Sequence, residues 1–409
     1  DKLFTPRQLV ALTAYSDLVA EAQQQILKDA IKAGLRDDTS LRDGGRGLHA
    51  YAEAISVYLA FTVDRSADFW ATLAMWANQP KNELVAHVFG RQGLPMVWDF
   101  AEANPFSKSG GNWLGNLGYV VKGVNALPAK LDGFSYQQDA VQIERTQPIV
   151  ISTDPPYYDN IGYADLSDYF YVWMRRCLRT VFPDVFGTML VPKTPELIAS
   201  PYRFNGDKDA ATHHFETGLR RVFSSLCLIS DKRYPVTVYY AFKQAESDTD
   251  ETEEANSIQH VSTGWETMLT GLIQSGFSIN GTWPIRTERT TGIKGATNML
   301  ASSIVLVCRP RPDDAPTSSR RAFVDALRRE LPAALKAMQS GNIAPVDLAQ
   351  ASIGPGMAIY SRYSKVLEAD GSPMSVRTAL GLINQALDEY LAEQDGDIDP
   401  DTRFAVDWF

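Results

Sequence analysis

Four consecutive residues, Asp154-Pro155-Pro156-Tyr157, combine groups that can make an amino group reactive. The prolines lack N–H groups and keep the preceding residues extended, so the Asp154 carboxylate and nearby carbonyls can face a crevice as acceptors. A carboxylate and a carbonyl together can accept both hydrogens of a planar amino group. Tyr157 offers a flat face for stacking a base, worth roughly 1–3 kcal/mol. The motif therefore predicts a site that activates an exocyclic amine, and the alternative is a simple turn after a strand.

A β-branched run leads into this motif. Residues 149–153 read Ile-Val-Ile-Ser-Thr, which is typical of a parallel strand that is covered on both faces. In open α/β sheets, ligands bind beyond the carboxyl ends of the strands. The sequence therefore predicts that Asp154 leaves the sheet where ligand sites lie.

The motif and its flanks resemble a known enzyme family. Asp154-Pro155-Pro156-Tyr157 is similar to motif IV of the S-adenosylmethionine-dependent amino-methyltransferases, which methylate adenine N6 or cytosine N4. The longer run over residues 153–171 resembles the large prokaryotic adenine-specific DNA methylases with an N-terminal domain of unknown function, some of them linked to anti-phage systems. This resemblance extends from residues 4–8 to residues 399–404. The aspartate before the two prolines, where serine is the alternative, favours adenine over cytosine.

The resemblance implies a role for each residue around the motif. All four motif residues belong to the catalytic loop, in which Asp154 and the Pro155 carbonyl accept the two amino hydrogens of a flipped adenine. Tyr157 stacks on the base, and Tyr158 or Tyr163 lines the pocket. S-Adenosylmethionine is the implied cofactor, and Asp154 lies beside it. DNA is the implied substrate.

Asp139 lies shortly before the motif strand, at the position of motif III in the resembling fold. An acidic residue there accepts a hydrogen bond from the amino group of the cofactor's adenine. The resemblance thus implies that Asp139 binds the cofactor, and the alternative is an ordinary loop aspartate.

A basic, glycine-containing segment over residues 286–295 separates two predicted strands. In the resembling fold, the last two strands pair as an antiparallel hairpin. We expect Arg286, Arg289 and Lys294 in their connection to contact the substrate backbone.

A strand followed by a glycine-rich cofactor turn, known as motif I, is missing from the sequence. Residues 89–93 lack its spacing, and residues 110–118 lack a preceding apolar strand. In the resembling methylases, motif I lies upstream of the region matched here. We therefore expect an upstream segment, in the same polypeptide or on another chain, to supply most of the cofactor site.

Composition restricts the function classes further. The formal net charge of −10 argues mildly against a general nucleic-acid binder, although much of the excess lies in residues 246–254 and leaves room for a local basic cleft. Three separated cysteines in apolar stretches predict reduced thiols in a cytoplasmic protein. No apolar run is long enough to span a membrane. The five histidines form no ligand pattern, so we assign no metal.

The predicted fold class is α/β: a class I (Rossmann-like) methyltransferase core, incomplete at its N-terminal half, with helical N- and C-terminal additions. Residues 1–130 are expected to be mainly helical, residues 131–310 to form the catalytic core, and residues 311–409 to be mainly helical.

Spacing and capping signals predict the individual elements. Thr5-Pro6 predicts the start of a long helix that ends near Gly34. Further helices are predicted at 48–63, 66–78, 210–229, 263–275, 319–338 and 375–393. Strands are predicted at 236–242, 277–285 and 303–308, and residues 244–260 are predicted to form an acidic loop.

RNA-base methylation is a second enzymatic interpretation, since similar motifs act on RNA bases. A non-catalytic module derived from a methylase, binding nucleic acid or a partner subunit, is the third. The missing motif I and the acidic charge favour that module, whereas the intact motif favours an enzyme.

Overall fold

The chain folds into two compact units. The computed structural model describes residues 3–79, 82–90, 93–127, 133–158, 161–240, 263–286, 302–339 and 345–394. By contacts, one unit contains Asp1–Gln137 and Ile161–Glu196, and the other contains Gln138–Asn160 and Leu197–Phe409. The functional regions expected at 1–130, 131–310 and 311–409 stay predictions.

The described residues contain nine α-helices and eight strands. The helices are α1 (Pro6–Lys32), α2 (Leu48–Ala67), α3 (Trp113–Ala126), α4 (Tyr163–Leu178), α5 (Lys208–Ile229), α6 (Thr263–Gln274), α7 (Arg320–Gln339), α8 (Pro345–Ser361) and α9 (Val376–Gln394). The strands are β1 (Trp76–Gln79), β2 (Asn82–Val85), β3 (Ser152–Thr153), β4 (Val236–Tyr240), β5 (Phe277–Arg286), β6 (Ser302–Pro310), β7 (Thr317–Ser319) and β8 (Lys365–Leu367). The chain is therefore mixed α/β, which confirms the coarse fold class. Among the described helices, none combines the length and apolarity that crossing a membrane requires.

The first unit is built around α1, α2 and α4. Leu12 of α1, Val63 of α2 and Trp173 of α4 are buried in one apolar cluster. The helix predicted at 66–78 is wrong, because α2 continues to Ala67 and Trp76–Gln79 forms β1, which pairs antiparallel with β2. Apolar residues in this stretch follow a helical spacing, but hairpin pairing decides its structure.

A capping box fixes the start of α1. The Gln8 N–H donates to Thr5 Oγ1 over 3.2 Å, and the Thr5 N–H donates to Gln8 Oε1 over 2.8 Å. Two N–H groups at the helix start, which have no carbonyl partner within the helix, are thereby satisfied. The predicted helix start is confirmed, with Pro6 at the first helical position.

Thr5→Ala is expected to destabilise the first unit by about 1 kcal/mol, because the variant lacks the capping hydroxyl. Hydrogen exchange of the α1 amides or urea unfolding would measure the change. Thr5→Ser is the matched control, since it keeps a hydroxyl at the cap. Equal unfolding free energies for the alanine and serine variants would contradict the capping role.

The second unit contains a four-stranded sheet in the order β3-β4-β6-β5. β3 runs parallel to β4, with Ser152 opposite Thr237 and Thr153 opposite Val238. β4 is antiparallel to β6, and β6 is antiparallel to β5. The predicted antiparallel pairing of the last two strands is confirmed.

One face of this sheet packs on a large apolar core. Val236, Val238 and Tyr240 of β4 are buried and alternate with partly exposed residues, as expected for a strand with one covered face. Side chains from α5, α6, α7, α8 and α9 complete the same cluster. The helices predicted at 210–229, 263–275, 319–338 and 375–393 are confirmed to within two residues at each end.

The close approach of α8 to β5 requires glycine at position 354. A Cβ atom there would overlap the side chain of Thr282 on β5. Gly354 thus lets the helix backbone lie directly against the strand, which explains the glycine in the Ile353-Gly354-Pro355 segment.

The run over residues 149–153 differs from the prediction of a strand covered on both faces. Ile151 is buried, but Val150 is 64% exposed, and the regular strand contains Ser152–Thr153 alone. Ile149 adds an isolated parallel bridge to Ser230. The physical reason is the covering of the strand: β3 is the edge strand of the described sheet, and the described residues leave the face from which Val150 projects largely open.

Candidate functional site

The Asp154 motif follows β3 directly, at the carboxyl end of a parallel strand pair. Thr153 lies opposite Val238, so the loop leaves the sheet beside the last residues of β4. Asp154 is exposed, whereas both prolines are half-buried. This places the motif where α/β sheets bind ligands, as the sequence predicted.

Asp154 and Tyr157 contact each other within the loop. The Tyr157 hydroxyl donates a hydrogen bond to Asp154 Oδ1 over 2.7 Å. An ionised carboxylate has about four acceptor positions, so this bond uses one of them and does not exclude a second donor. The loop therefore brings a carboxylate and an aromatic ring together at an exposed position.

The ring of Tyr157 rests on a buried aromatic pair. It meets Tyr240 in a T-shaped arrangement, with ring centroids 5.4 Å apart and an interplanar angle of 88°. Tyr240 in turn stacks on Trp265 of α6, at 5.9 Å and 25°. Tyr240 and Trp265 are each 1% exposed, so the support beneath the motif is part of the core.

Tyr158 is held in an uncommon backbone conformation. Its φ is +47°, in the left-handed region that bulky residues rarely occupy. Its hydroxyl lies 2.9 Å from Thr212 Oγ1, and its ring meets Phe215 of α5 edge-on at 5.3 Å. Its carbonyl accepts the Ala199 N–H over 3.0 Å. Tyr158 thus anchors the loop on α5; its predicted role as a pocket residue stays a prediction.

The Asp139 side chain makes a hydrogen bond within its own turn. Its carboxylate accepts the Val141 N–H over 2.9 Å and caps a short 3₁₀ helix, Ala140–Gln142. This is the geometry of an ordinary loop aspartate, the alternative raised by the sequence. Cofactor binding by Asp139 stays a prediction.

The remaining predicted site residues lie elsewhere. Tyr163 opens α4 in the first unit and is 50% exposed. Arg286 ends β5, and Arg289 and Lys294 lie outside the described residues. Their predicted contacts with substrate stay predictions.

Thiol and metal chemistry receive no support from the described part of the chain. Cys177, Cys227 and Cys308 are free in the structure, and the predicted reduced state of the thiols stays a prediction. Burial raises the pKa of Cys177 to about 11 and that of Cys308 to about 12, so neither supplies a thiolate at neutral pH. The described side chains contain no group of three or more His, Cys, Asp or Glu that could hold a metal ion.

Sequence reasoning missed the supports of the motif: Tyr240, Trp265, Thr212 and Gly264. One signal was available for Tyr240, because it stands on the inward register of β4 at the carboxyl end of the strand. Thr212 and Gly264 carry no signal in the sequence, since their contacts join segments that are distant along the chain: Thr212 contacts Tyr158, and Gly264 lies close to Tyr158 and Tyr240.

Comparison of the chain with family models, curated proteins and solved structures finds no match. The function is therefore inferred from the geometry of the site. Its geometry offers a carboxylate acceptor and a supported aromatic ring at the exposed end of a strand, which suits a planar ligand that carries an amino group.

Proposed function

We propose that this chain carries the catalytic loop and target-base pocket of an S-adenosylmethionine-dependent methyltransferase that acts on adenine N6 in DNA. The observation that carries the proposal is the pairing of Asp154 with Tyr157 at the carboxyl end of β3. An acceptor for amino hydrogens and a stacking surface for the base are the two groups that this reaction asks of the protein.

The sheet gives independent support. The motif strand runs parallel to β4, and the two later strands form an antiparallel hairpin next to it. The resembling fold has such a hairpin at the end of its sheet. This order supports the proposal that the second unit is the downstream half of a class I methyltransferase core.

The proposed mechanism begins with extrusion of the target adenine from the duplex, because its amino group is not accessible inside the stack. Tyr157 stacks on the base. Asp154 and the Pro155 carbonyl accept the two amino hydrogens, which favours a pyramidal nitrogen and stabilises its developing positive charge. S-Adenosylmethionine would supply the methyl group when bound, with the electron pair of the broken carbon–sulfur bond staying on sulfur, and the methylated nitrogen would lose one of its two hydrogens as a proton. Since Tyr157 now donates to Asp154, we infer that its ring is already held beside the carboxylate before a base arrives.

The residues of this chain could form only part of a binding site for S-adenosylmethionine. Asp154 is exposed and available to one side of a cofactor pocket, whereas Asp139 already accepts a hydrogen bond in its own turn. The sequence contains no glycine-rich turn after a strand. We therefore propose that another segment, in the same polypeptide or in trans, supplies the rest of the site.

The edge of β3 that no described strand pairs with fits this division. The backbone of Ile149 hydrogen-bonds to Ile229 and Asp231, and the Ile151 carbonyl accepts the Thr237 N–H. Alternate residues of a strand hydrogen-bond to the neighbours on its two opposite sides. The backbone groups of Val150 and Ser152 therefore face the other edge of the strand. A further strand could pair there, beside the Asp154 loop.

The alternative candidate is a binding module without catalysis. The bond between Tyr157 and Asp154 favours it, because the carboxylate already has a donor. The exposed position of Asp154 favours the enzyme, since the remaining acceptor positions can reach a ligand.

Calorimetric titration of the chain with S-adenosylmethionine tests the proposal first. Micromolar binding, followed by transfer of labelled methyl groups to adenine in unmethylated DNA, is the result expected of a complete site. If binding requires addition of a candidate cofactor-binding segment, the proposal of a divided site is supported. No binding and no transfer with that segment present would leave the binding module.

A competition experiment distinguishes DNA from RNA as the substrate. Labelled methyl transfer would be measured with unmethylated duplex DNA in the presence of excess structured RNA, and with the two exchanged. The proposal expects RNA to compete poorly. Preferential labelling of RNA would overturn the assignment of DNA as substrate.

A further inference from the structure

Tyr240 is the residue on which the motif tyrosine rests. Aromatic pairs prefer an edge-to-face arrangement, because the positive ring edge meets the negative ring face, and Tyr157 with Tyr240 adopts it at 88°. Tyr240 itself is 1% exposed and sits against Trp265. A buried ring that is fixed on one side can hold a half-buried ring on its other side.

Close packing at the start of α6 fixes Tyr240 further. A Cβ atom at Gly264 would lie 2.9 Å from the Tyr240 hydroxyl oxygen and 3.3 Å from Tyr158 Cβ. The helix start therefore contacts both Tyr240 and the residue after the motif, and a larger residue at 264 would have to displace one of them. Gly264 couples the position of α6 to the position of the loop.

Tyr158 holds the other side of the loop. A non-glycine residue in the left-handed region persists where its surroundings determine it, and such residues concentrate at functional sites. Here the surroundings are Thr212, Phe215 and the Ala199 N–H. With Tyr158 anchored, the direction in which Tyr157 leaves the backbone is restricted, and Tyr240 restricts the remaining rotation of its ring.

We propose that Tyr240 is a positioning residue, which sets the plane of the Tyr157 ring and thereby prepares both the stacking surface and the Asp154 carboxylate for a flipped base. This inference rests on the proposed function. Tyr240 acts through Tyr157 and does not itself contact substrate. The Tyr157–Asp154 bond is the local reporter of this orientation, because it forms only when the ring points its hydroxyl at the carboxylate.

The test compares Tyr240→Leu with Tyr240→Phe in the full chain. Leucine keeps an apolar core residue but lacks the aromatic ring, whereas phenylalanine keeps the ring. The first readout is the ¹³C signal of the Asp154 carboxyl group, with Tyr157→Phe as the reference for a broken bond. We expect the leucine variant to shift towards that reference and the phenylalanine variant to stay near wild type.

The second readout is the affinity for a DNA duplex that carries 2-aminopurine opposite an abasic position, where a base flips at low cost. Tyr240→Leu is expected to weaken binding about tenfold, and Tyr240→Phe less than about twofold. Circular dichroism checks the fold. If the leucine variant fails to fold, Tyr240→Met, which fills more of the space, replaces it.

The outcomes separate this inference from the proposed function. An unchanged carboxyl signal or an unchanged affinity in a folded Tyr240→Leu variant overturns the positioning role. If the wild-type chain does not bind the duplex but the carboxyl signal moves, base recognition fails while control of Tyr157 by Tyr240 stands. A loss of affinity in both variants would assign the effect to the hydroxyl and not to the aromatic ring.

Discussion

Asp154→Ala is expected to lower the rate of methyl transfer by a factor of about 10² to 10³ or more, in the chain combined with whatever segment completes the cofactor site. The alanine removes the proposed acceptor for an amino hydrogen and, with it, the negative charge proposed to stabilise the nitrogen that becomes positive. The fold should be retained, because the side chain is exposed and its described contact is a hydrogen bond within its own loop. Labelled methyl transfer and thermal unfolding would be measured together.

Two controls make this result specific to position 154. Asp154→Asn keeps an oxygen acceptor without the charge, so its rate should lie between those of wild type and alanine. Asp209→Ala removes another exposed aspartate of the same unit, from the first turn of α5, and should leave the rate unchanged. Wild-type turnover by Asp154→Ala would show that the carboxylate takes no part in the reaction.

The second large effect concerns the pH dependence of stability in the first unit. Burial raises the pKa of Asp64 on α2 from its ordinary value of 3.8 to about 8. The residue as a whole is half-buried, but its Oδ1 atom is shielded from solvent and has no hydrogen-bond partner among the described residues. Because the charge would reside on the carboxylate oxygens, their burial decides the direction of the shift.

The direction in which stability changes with pH follows from the number of protons that the native and unfolded states bind. Between about pH 4 and pH 8, native Asp64 keeps its proton while the unfolded chain has released it. Stability contributed by this group is therefore fully present below the unfolded pKa and decreases by up to about 1.4 kcal/mol per pH unit as the pH rises towards the folded value. Above about pH 8 the contribution of Asp64 no longer changes.

Asp64→Asn removes this dependence, because an amide does not titrate. The free energy of unfolding of the variant relative to wild type should rise between pH 5 and pH 8, by up to about 4 kcal/mol. Urea unfolding at several pH values measures it. Glu21→Gln, which removes an exposed carboxylate on α1, is measured in the same way as the control for the loss of a charge elsewhere in the unit. A flat difference for Asp64→Asn would mean that Asp64 is ionised in the native protein.

The sequence predicted the helices and strands whose start, end or apolar pattern is encoded in their own residues. Thr5-Pro6 starts α1, and Gly276, with a φ of +91°, follows the end of α6. The strands β5 and β6 also follow from their own apolar residues. The helix predicted at 66–78 was wrong because intrinsic helix propensity is a weak preference. Pairing of residues 76–79 with residues 82–85 overrides it.

The candidate site could be predicted in its reactive part and not in its support. Asp154 and Tyr157 stand three residues apart, so the motif places them in one loop, but it did not predict the hydrogen bond between them. The contacts of Tyr158 with Thr212 and of Tyr240 with Tyr157 depend on how distant segments pack, which residue spacing does not encode. The exposure of Val150 depends on which elements cover that face of β3, which one strand alone cannot reveal.

The two prolines of the motif have a consequence for self-association. An unpaired strand edge with β-branched residues is a template on which another chain can form a ladder, and a short edge limits that hazard. By alternation Pro155 faces the β4 side and Pro156 the other edge, and neither has an N–H to donate, so a ladder that starts at Val150 loses its donor at position 156. The two prolines thereby limit how far the proposed catalytic loop can enter intermolecular β-structure.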